Sequence, residues 1–297
     1  KLIFNENEFR QLFSSLKVEK TISGGSVANS IVGLSQLGNS VGFIGKIADD
    51  DLGNKYEEGL KKEKVKYYYR KEKEIDPTGT CLILVTPDSE RTMCTFLGIA
   101  GKIAPHDINL EALKKSELIF LEGYLWDEGK PKKAFEKIIN NSNKVAMSLS
   151  DKFCVDRHKN QFLNLVKKKL DITFANELEI MSLINARNFS EVVSFAKKIK
   201  KIIVITRGSR GAVSINGDEV KEIGVKKKLK ILDLTGAGDL FAAGYLHGFI
   251  NNLSMVFIPL LTKLAGRAQS GYIFTYAFAM VLGIVILITW MTLGTGS

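Results

Sequence analysis

The sequence predicts an α/β protein with a mainly parallel sheet that is covered by helices on both faces. Three observations support this class. Short apolar runs alternate with amphipathic stretches along most of the 297 residues. Helices of ten or more residues between successive strands are typical of parallel βαβ units. The composition, 45% hydrophobic and 25% charged, is that of a globular protein with a sizeable core.

The elements follow one another in a regular order. The predicted strands are the apolar runs Val41–Ile47, Leu118–Leu121, Val145–Leu149, Ile172–Ala175 and Ile202–Thr206. The predicted helices have apolar residues at helical spacing and comprise Val27–Leu37, Leu52–Lys64, Pro131–Ile139, Lys159–Lys168 and Ser190–Lys200. Ligands of such sheets bind beyond the carboxyl ends of the strands, so we expect the site there.

One segment departs from this alternation and predicts a β-hairpin. Thr80–Val85 and Thr92–Leu97 are β-rich runs joined by the turn-forming stretch Pro87-Asp-Ser-Glu90. The hairpin, about residues 78–97, is interpreted as a small lid over a substrate or as an edge hairpin with no role. The sequence leaves both interpretations open. It also does not show whether the hairpin pairs with a second copy of the chain in a homodimer.

The charge of the chain favours a small anionic ligand over nucleic acid. The net charge of +10 comes mainly from lysine runs such as Lys167-Lys168-Lys169 and Lys226-Lys227-Lys228. Aromatic or arginine side chains do not alternate with these lysines, as a nucleic-acid surface would need. We therefore interpret the lysines as a solvated surface whose field attracts anionic substrates.

The cysteines and histidines predict neither a metal site nor a disulfide framework. They are few and widely spaced: Cys81, Cys94, Cys154, His106, His158 and His247. This usage is typical of a reducing compartment. The chain opens on the polar stretch Asn5–Arg10 rather than on a signal peptide, so we expect a cytoplasmic protein.

The last thirty residues have a different character. No charged residue occurs from Ala268 to Ser297, and Tyr272–Leu293 is almost continuously apolar. Such a run spans about 30 Å as a helix, enough to cross a bilayer, and Tyr272 and Trp290 lie near its two ends as in an aromatic belt. A membrane-type helix over 272–293 is favoured over a buried core helix, because core helices usually keep a polar stripe.

The most specific motif of the chain is Asp233–Gly244, which reads Asp-Leu-Thr-Gly-Ala-Gly-Asp-Leu-Phe-Ala-Ala-Gly. Gly236, Ala237 and Gly238 can turn tightly and direct their N–H groups at one point, where the following helix adds the positive end of its dipole. Asp239 lies at the edge of this anion site as a candidate base. A phosphate site beside a carboxylate predicts phosphoryl transfer to a hydroxyl group.

A pair of glycines precedes the first predicted long helix. Gly24 and Gly25 allow the backbone to approach a ligand closely, and Asn29 can donate to and accept from hydroxyl groups. A simple turn explains the glycines as well.

Polar residues also follow two of the predicted strands. Asn176 and Glu179 come after Ile172–Ala175, where a carboxylate can hold Mg²⁺ near nucleotide phosphates, usually through water. The alternative is an acidic helix N-terminus without a ligand. Thr206 ends the last predicted strand and Gly208 follows it. Both suit contact with a triphosphate, although a plain hairpin turn accounts for them nearly as well.

These motifs together resemble one enzyme family. Asp-x-Thr-Gly-Ala-Gly-Asp-x-Phe-x-x-Gly resembles the second signature of the ribokinase-like (PfkB) carbohydrate and nucleoside kinases, and Gly24–Gly45 resembles the first. Asn176 to Glu179 matches the family's Asn-x-x-Glu motif. The matches occur in the family's order over about residues 20–249. Thr78–Cys81 and Pro87–Thr92 are similar to the adenosine-kinase-like branch.

The resemblance implies a ribokinase-like αβα sandwich with a small β lid. It implies ATP-dependent phosphorylation of a primary hydroxyl of a nucleoside or sugar, with adenosine favoured and ATP and Mg²⁺ required. The resemblance implies that Asp239 accepts the proton and that Gly236, Ala237, Gly238 and Arg91 stabilise the charge of the phosphoryl group. It implies contacts to ATP from Asn176, Thr206, Gly208 and Thr235, and organisation of Mg²⁺ by Glu179. The implied contacts to the acceptor come from Gly24, Gly25 and Asn29.

The chain departs from the family at both ends. The family's first strand, with a Gly-Asn pair and an acceptor-binding Asp, lies well upstream of the double glycine, whereas this chain begins only about twenty residues before Gly24. We expect that strand to be missing. The resemblance fades after about Phe249, and the tail is similar to the C-terminal membrane helix of an antiporter-like subunit of respiratory complex I.

We therefore expect a kinase domain at 1–249 and a divergent tail at 250–297. Two alternatives stay open at this point: a catalytically impaired, truncated or fused remnant that only binds nucleotide, and a membrane-tethered protein.

Overall fold

The structure is a computed structural model that describes residues 5–69, 71, 76–86, 91–126, 129–225 and 236–251. The α/β prediction is confirmed. The apolar stretch 272–293 lies outside the described residues, and so does nearly all of the tail proposed at 250–297. Among the helices that are described, none combines the length and the apolar character that crossing a membrane requires.

The described helices and strands alternate as expected. The helices are α1 Glu6–Ser14, α2 Ser26–Gln36, α3 Asp51–Lys62, α4 Leu110–Lys115, α5 Lys130–Asn140, α6 Lys152–Lys168, α7 Glu177–Ile184, α8 Phe189–Ile199 and α9 Ala237–Ile250. The strands are β1 Gly42–Phe43, β2 Lys66–Tyr67, β3 Thr80–Val85, β4 Arg91–Phe96, β5 Ile119–Glu122, β6 Val145–Ser148, β7 Ile172–Asn176, β8 Ile202–Thr206, β9 Ala212–Asn216 and β10 Glu219–Ile223.

The main sheet has six strands in the order β10-β9-β8-β7-β6-β5. Helices connect β5, β6, β7 and β8, each to its neighbour in the sheet. β7 and β8 are parallel, with Asn176 opposite Thr206, while β9 and β10 form an antiparallel edge. Because parallel strands end at the same sheet edge, the polar residues after β7 and β8 are neighbours.

The chain divides into two compact units. One unit comprises Lys1–Gly24 and Gly42–Ala146, and the other comprises Gly25–Val41 and Met147–Ser297. The second unit contains α2, α6 to α9 and strands β7 to β10, and all the candidate catalytic contacts described below lie within it.

The first unit contains the predicted hairpin. β3 and β4 pair antiparallel, from Thr80 opposite Phe96 to Val85 opposite Arg91. One face of the hairpin packs against α1, where the rings of Phe9 and Phe96 stack with centroids 5.3 Å apart. The other face is open to solvent at Ile83, which is 44% exposed. Helix α1, which was not predicted, therefore covers one face of the hairpin.

The bounds of most predicted elements agree with the structure to within two residues, and two elements differ by more. The strand predicted at 41–47 is reduced to β1 because its partner β2 is itself only two residues long. The helix predicted from Lys159 begins at Lys152 instead, because the carboxylate of Asp151 accepts a hydrogen bond from the N–H of Cys154 at 2.6 Å and caps an earlier start. The helix is kinked at His158, which separates this added segment from the predicted one.

Helices α2 and α9 approach each other closely at Gly33. A Cβ atom at this position would lie 3.1 Å from Cβ of Ala243 and 3.2 Å from Cδ2 of Leu240. Both distances are shorter than ordinary van der Waals contacts between carbon atoms. The absence of a side chain at Gly33 therefore sets how near the two helices can lie.

We predict that Gly33→Val lowers the free energy of unfolding by about 1–3 kcal/mol, because the added carbons overpack the contact with α9. Gly244→Val is the matched control: Gly244 lies on α9, and apart from its chain neighbours and the backbone of α9 no described atom lies within 4 Å of the position that a Cβ would take. The control is expected to change stability by less than about 0.5 kcal/mol. Urea unfolding followed by circular dichroism measures both, and equal losses would contradict the prediction.

Candidate active site

The N-termini of α2 and α9 lie at the same end of the helix pair. Three contacts follow the same order along both segments: Asn29 with Asp239, Gly33 with Ala243, and Asn39, just beyond the end of α2, with His247. They therefore run parallel. The positive ends of both helix dipoles then meet around Asp239, and this favours an anion there.

Glycines shape both helix starts. Gly25 is the N-cap of α2 with φ 111°, and Gly236 is the N-cap of α9 in the left-handed region with φ 72°. Both backbone conformations are strained for residues with a side chain. A Cβ on Gly236 would lie 3.7 Å from Oδ2 of Asp239 and 3.8 Å from Nδ2 of Asn29. The glycine turn is thus in direct proximity to the carboxylate.

The carboxylate of Asp239 is held by two side chains of α2. Its Oδ1 accepts from Oγ of Ser26 at 3.0 Å, and its Oδ2 accepts from Nδ2 of Asn29 at 2.9 Å. Burial raises the pKa of Asp239, and the hydrogen bonds from Asn29 and Ser26 act in the opposite direction. The result is a fixed carboxylate with more affinity for a proton than an exposed aspartate.

Asn176 and Glu179 form a capping box at the start of α7. The N–H and Nδ2 of Asn176 donate to the carboxylate of Glu179 at 2.9 and 2.5 Å, while Oδ1 of Asn176 accepts from the N–H of Glu179 at 2.9 Å. Glu179 is only 5% exposed. Burial raises its pKa to about 7, the nearby carboxylate of Asp151 adds to this effect, and the hydrogen bonds from Asn176 oppose it.

This geometry limits how Glu179 can hold Mg²⁺. Both carboxylate oxygens already accept hydrogen bonds, and the described residues contain no group of three or more carboxylate, histidine or cysteine side chains arranged for a metal. Mg²⁺ in nucleotide sites commonly keeps several waters and uses one or two carboxylates together with substrate phosphates. The donors present fit a hydrated Mg²⁺ held through water, not a direct protein cage.

The turn after β8 is tied to the start of α7 by an ion-pair network. Glu177 accepts from Nε of Arg207 at 3.3 Å and also from Arg210. The guanidinium of Arg207 lies 3.6 Å from the ring centroid of Phe189. These contacts connect the turn that follows Thr206, the last residue of β8, with the turn that follows the parallel strand β7. The sequence reasoning missed this connection, because it treated the two turns separately.

The structure brings most of the candidate residues into two groups. One group gathers Gly25, Asn29, Gly236 and Asp239, with Ala237 and Gly238 in the first turn of α9. The other places Asn176 beside Thr206, with Glu179 and Gly208 in the adjoining turns.

Three candidates remain outside these groups. Gly24 ends a segment of the other compact unit, directly before the N-cap of α2. Arg91 begins β4 in that same unit, and its side chain is outside the described part of the chain. Thr235 lies outside the described residues. Their roles stay predictions.

Ser26 and Ser30 contact Asp239 but were not predicted. Ser26 donates to the carboxylate, and Ser30 donates to the main-chain oxygen of Asp239 at 2.9 Å. A signal was available, since Ser26, Asn29, Ser30 and Gly33 have the spacing of one helix face. That face is polar or small, whereas the other residues from Val27 to Leu34 are apolar.

Comparison with known proteins finds relatives over most of the chain. The pfkB family carbohydrate kinases match residues 2–257 of the chain. A 5-dehydro-2-deoxygluconokinase of Bacillus thuringiensis (strain Al Hakam) is 26% identical over 287 residues, which cover 90% of this chain and 84% of that protein. The ribokinase-like fold is confirmed by two solved structures.

An adenosine kinase from Sinorhizobium meliloti and a probable sugar kinase from Rhizobium etli CFN 42 are each 32% identical to the chain. Each superposes with a TM-score of 0.84, over 92% of this chain and 84% of its own. The three relatives are named for different acceptors. The comparison therefore does not decide between adenosine and a sugar as the acceptor of this chain.

We predict that the stability of the protein falls as pH rises from about 4.5 to about 7, because of Glu179. Its pKa is raised from 4.5 to about 7 in the folded protein, so unfolding releases a proton within this window. Glu179→Gln removes the titration but keeps an oxygen for the capping box. The free energy of unfolding of this variant relative to the native protein should increase by about 2 kcal/mol between pH 5 and pH 8.

The control for this experiment is Glu191→Gln. Glu191 occupies the same position of α8, where its N–H donates to the capping residue Asn188 at 3.1 Å, but its side chain is exposed. Denaturant unfolding at several pH values measures all three proteins. A difference between Glu179→Gln and the native protein that does not change with pH would contradict the prediction.

Proposed function

Because the chain belongs to the pfkB family of carbohydrate kinases, we propose that it transfers the γ-phosphoryl group of ATP to a primary hydroxyl of a nucleoside or sugar. The observation that carries this proposal is the carboxylate of Asp239, which is held by Ser26 and Asn29 where the N-termini of two parallel helices meet. A base and an anion site are thus adjacent, as attack of a hydroxyl on a phosphoryl group requires.

In the proposed reaction, Asp239 accepts the proton of the hydroxyl as its oxygen attacks the γ-phosphorus atom. The bond from phosphorus to the bridging oxygen breaks, and ADP leaves. The raised pKa of Asp239 brings its affinity for a proton closer to the operating pH, which suits a general base.

The first turn of α9 is proposed to stabilise the phosphoryl group. The first N–H groups of a helix have no acceptor within the helix, so those of Ala237 and Gly238, with that of Gly236 in the preceding turn, are suited to bind phosphoryl oxygens. Gly238 is exposed, and apart from its chain neighbours and the backbone of its own helix no described atom lies within 4 Å of the position that a Cβ would take. A ligand can therefore approach the backbone of α9 there.

The nucleotide phosphates are proposed to lie along the ends of β7 and β8. Asn176 and Thr206 are opposite each other in the sheet, and Gly208 provides a turn with φ 57°. Glu179 would hold Mg²⁺ through water, and the bound ion would neutralise charge on the phosphates. Thr235 is proposed as a further ATP contact and Arg91 as a contact to the transferred phosphoryl group, both from the family motifs alone.

For the acceptor, we propose adenosine first and 5-dehydro-2-deoxygluconate second. Gly24 and Gly25 would allow close approach of the acceptor. The amide oxygen of Asn29 would accept a hydrogen bond from an acceptor hydroxyl, since its Nδ2 is already used on Asp239. The kinase domain is proposed to comprise 1–249, with the hairpin at about 78–97 as its lid.

We predict that the full chain, supplied with Mg-ATP, phosphorylates adenosine. The assay incubates adenosine, 5-dehydro-2-deoxygluconate, ribose and fructose separately and detects the phosphorylated product by mass, so that simple ATP hydrolysis is not counted. Removal of Mg²⁺ with EDTA should abolish product formation. Phosphorylation of a sugar alone would replace adenosine as the acceptor, and no product from any acceptor would contradict the kinase function itself.

We predict that Asp239→Asn lowers kcat by about 10²–10⁴-fold, because the amide cannot accept the proton of the hydroxyl. The affinity for ATP, measured by calorimetry, should change less than about twofold, since the residues proposed for ATP lie mostly on the strand ends. Asp218→Asn, in the turn between β9 and β10, is the matched control and should retain normal turnover. Near-normal kcat in Asp239→Asn would refute the assignment of the base.

A further inference from the structure

The hydroxyl group of Ser30 lies closer to an acceptor in the neighbouring helix than to the acceptor in its own helix. Its Oγ lies 2.9 Å from the main-chain oxygen of Asp239 and 3.4 Å from that of Ser26, one turn earlier in α2. A serine within a helix usually donates to the carbonyl four residues before it. Since a hydroxyl has one proton, the shorter distance assigns the hydrogen bond to Asp239.

Ser30 is 1% exposed. It therefore cannot contact a substrate directly. Its partner, however, is the main chain of the residue whose carboxylate accepts from Ser26 and Asn29. Three hydrogen bonds from one turn of α2 thus converge on the main chain and the side chain of Asp239.

The packing around Ser30 limits how α2 and α9 can move relative to each other. Ser26, Asn29, Ser30 and Gly33 share one face of α2. At Gly33 this face is pressed against Ala243 and Leu240 of α9. The glycine determines the separation of the two helices. A directed hydrogen bond to a main-chain oxygen further restricts how far one helix can slide along the other, in addition to the packing itself.

We propose that Ser30 is a positioning residue that fixes the register between α2 and α9, so that Ser26 and Asn29 reach the carboxylate of Asp239. This inference rests on the proposed function, in which Asp239 is the base, and it adds a residue that does not contact the reacting atoms.

A loss of register has a measurable electrostatic consequence. Burial raises the pKa of Asp239, and the hydrogen bonds from Asn29 and Ser26 oppose this effect. If the helices slide, these two hydrogen bonds lengthen and stabilise the ionised carboxylate less. The pKa of Asp239 must then rise further.

The experiment measures the pKa of Asp239 directly, by NMR titration of protein labelled with ¹³C at aspartate carboxyl groups. The signal of Asp239 is assigned by its absence in Asp239→Asn. In Ser30→Ala the pKa of Asp239 should be higher than in the native protein by about 0.5 or more. With a phosphorylated acceptor in hand, the acid limb of the pH profile of kcat should move in the same direction and kcat should fall about tenfold.

Ser214→Ala is the matched control. Ser214 and Tyr245 of α9 are hydrogen-bonded through their hydroxyl oxygens, 3.0 Å apart, so this change also removes a serine hydroxyl from a contact with α9. It is expected to lower stability but to leave the pKa of Asp239 unchanged. An equal shift of this pKa in both variants would overturn the inference, because the effect would then be a general loosening of α9.

An unchanged pKa of Asp239 in folded Ser30→Ala would also overturn the inference, whatever its activity. If Ser30→Ala does not fold, Ser30→Cys, which is close in volume but a weak donor, is used with the same expected direction of shift. Because the titration requires no turnover, it remains decisive even if the native protein phosphorylates no acceptor, a result that would contradict only the proposed function.

Discussion

The close approach of α2 and α9 at Gly33 is the constraint on which the candidate site depends. It lets two short side chains of α2 reach the carboxylate of Asp239. It also places two helix N-termini at one point, so that an anion there is favoured by both dipoles. A larger residue at Gly33 would separate Asp239 from Ser26 and Asn29, which hold its carboxylate.

Glu179 is buried and Asp239 is half-buried, and the two carboxylates show how the same physical effect acts in two different settings. Burial raises the pKa of Asp239 and of Glu179. Glu179 is held by Asn176, three residues away, in a self-contained capping box, whereas Asp239 is held by Asn29, 210 residues away in the chain. The capping box survives any movement of neighbouring helices. The hydrogen bonds to Asp239 exist only while α2 and α9 keep their register.

This difference also explains what the sequence could predict. The strand and helix pattern gave the α/β class, and the local motifs gave Asp239, Asn176 and Glu179 as candidates, because periodicity and turn chemistry are local properties. The contacts of Ser30 and Ser26 with Asp239 were not predictable in this way, since they depend on packing between segments more than 200 residues apart. Helix α1 was missed for a related reason: Phe9 is buried only because the hairpin covers it.

The geometry around Asp239 also bears on where acceptor specificity resides. Its carboxylate, the amide of Asn29 and the helix N-termini are suited to a hydroxyl and a phosphoryl group. A nucleoside and a sugar acid both present a hydroxyl to the same phosphoryl group, so these contacts do not distinguish between them. The relatives that match most of the chain are named for adenosine, a sugar and 5-dehydro-2-deoxygluconate. A site that orients only the reacting hydroxyl can be shared by all of them. Specificity must then come from residues that contact the rest of the acceptor, and substitution of those residues should change KM for the acceptor without changing the pKa of Asp239.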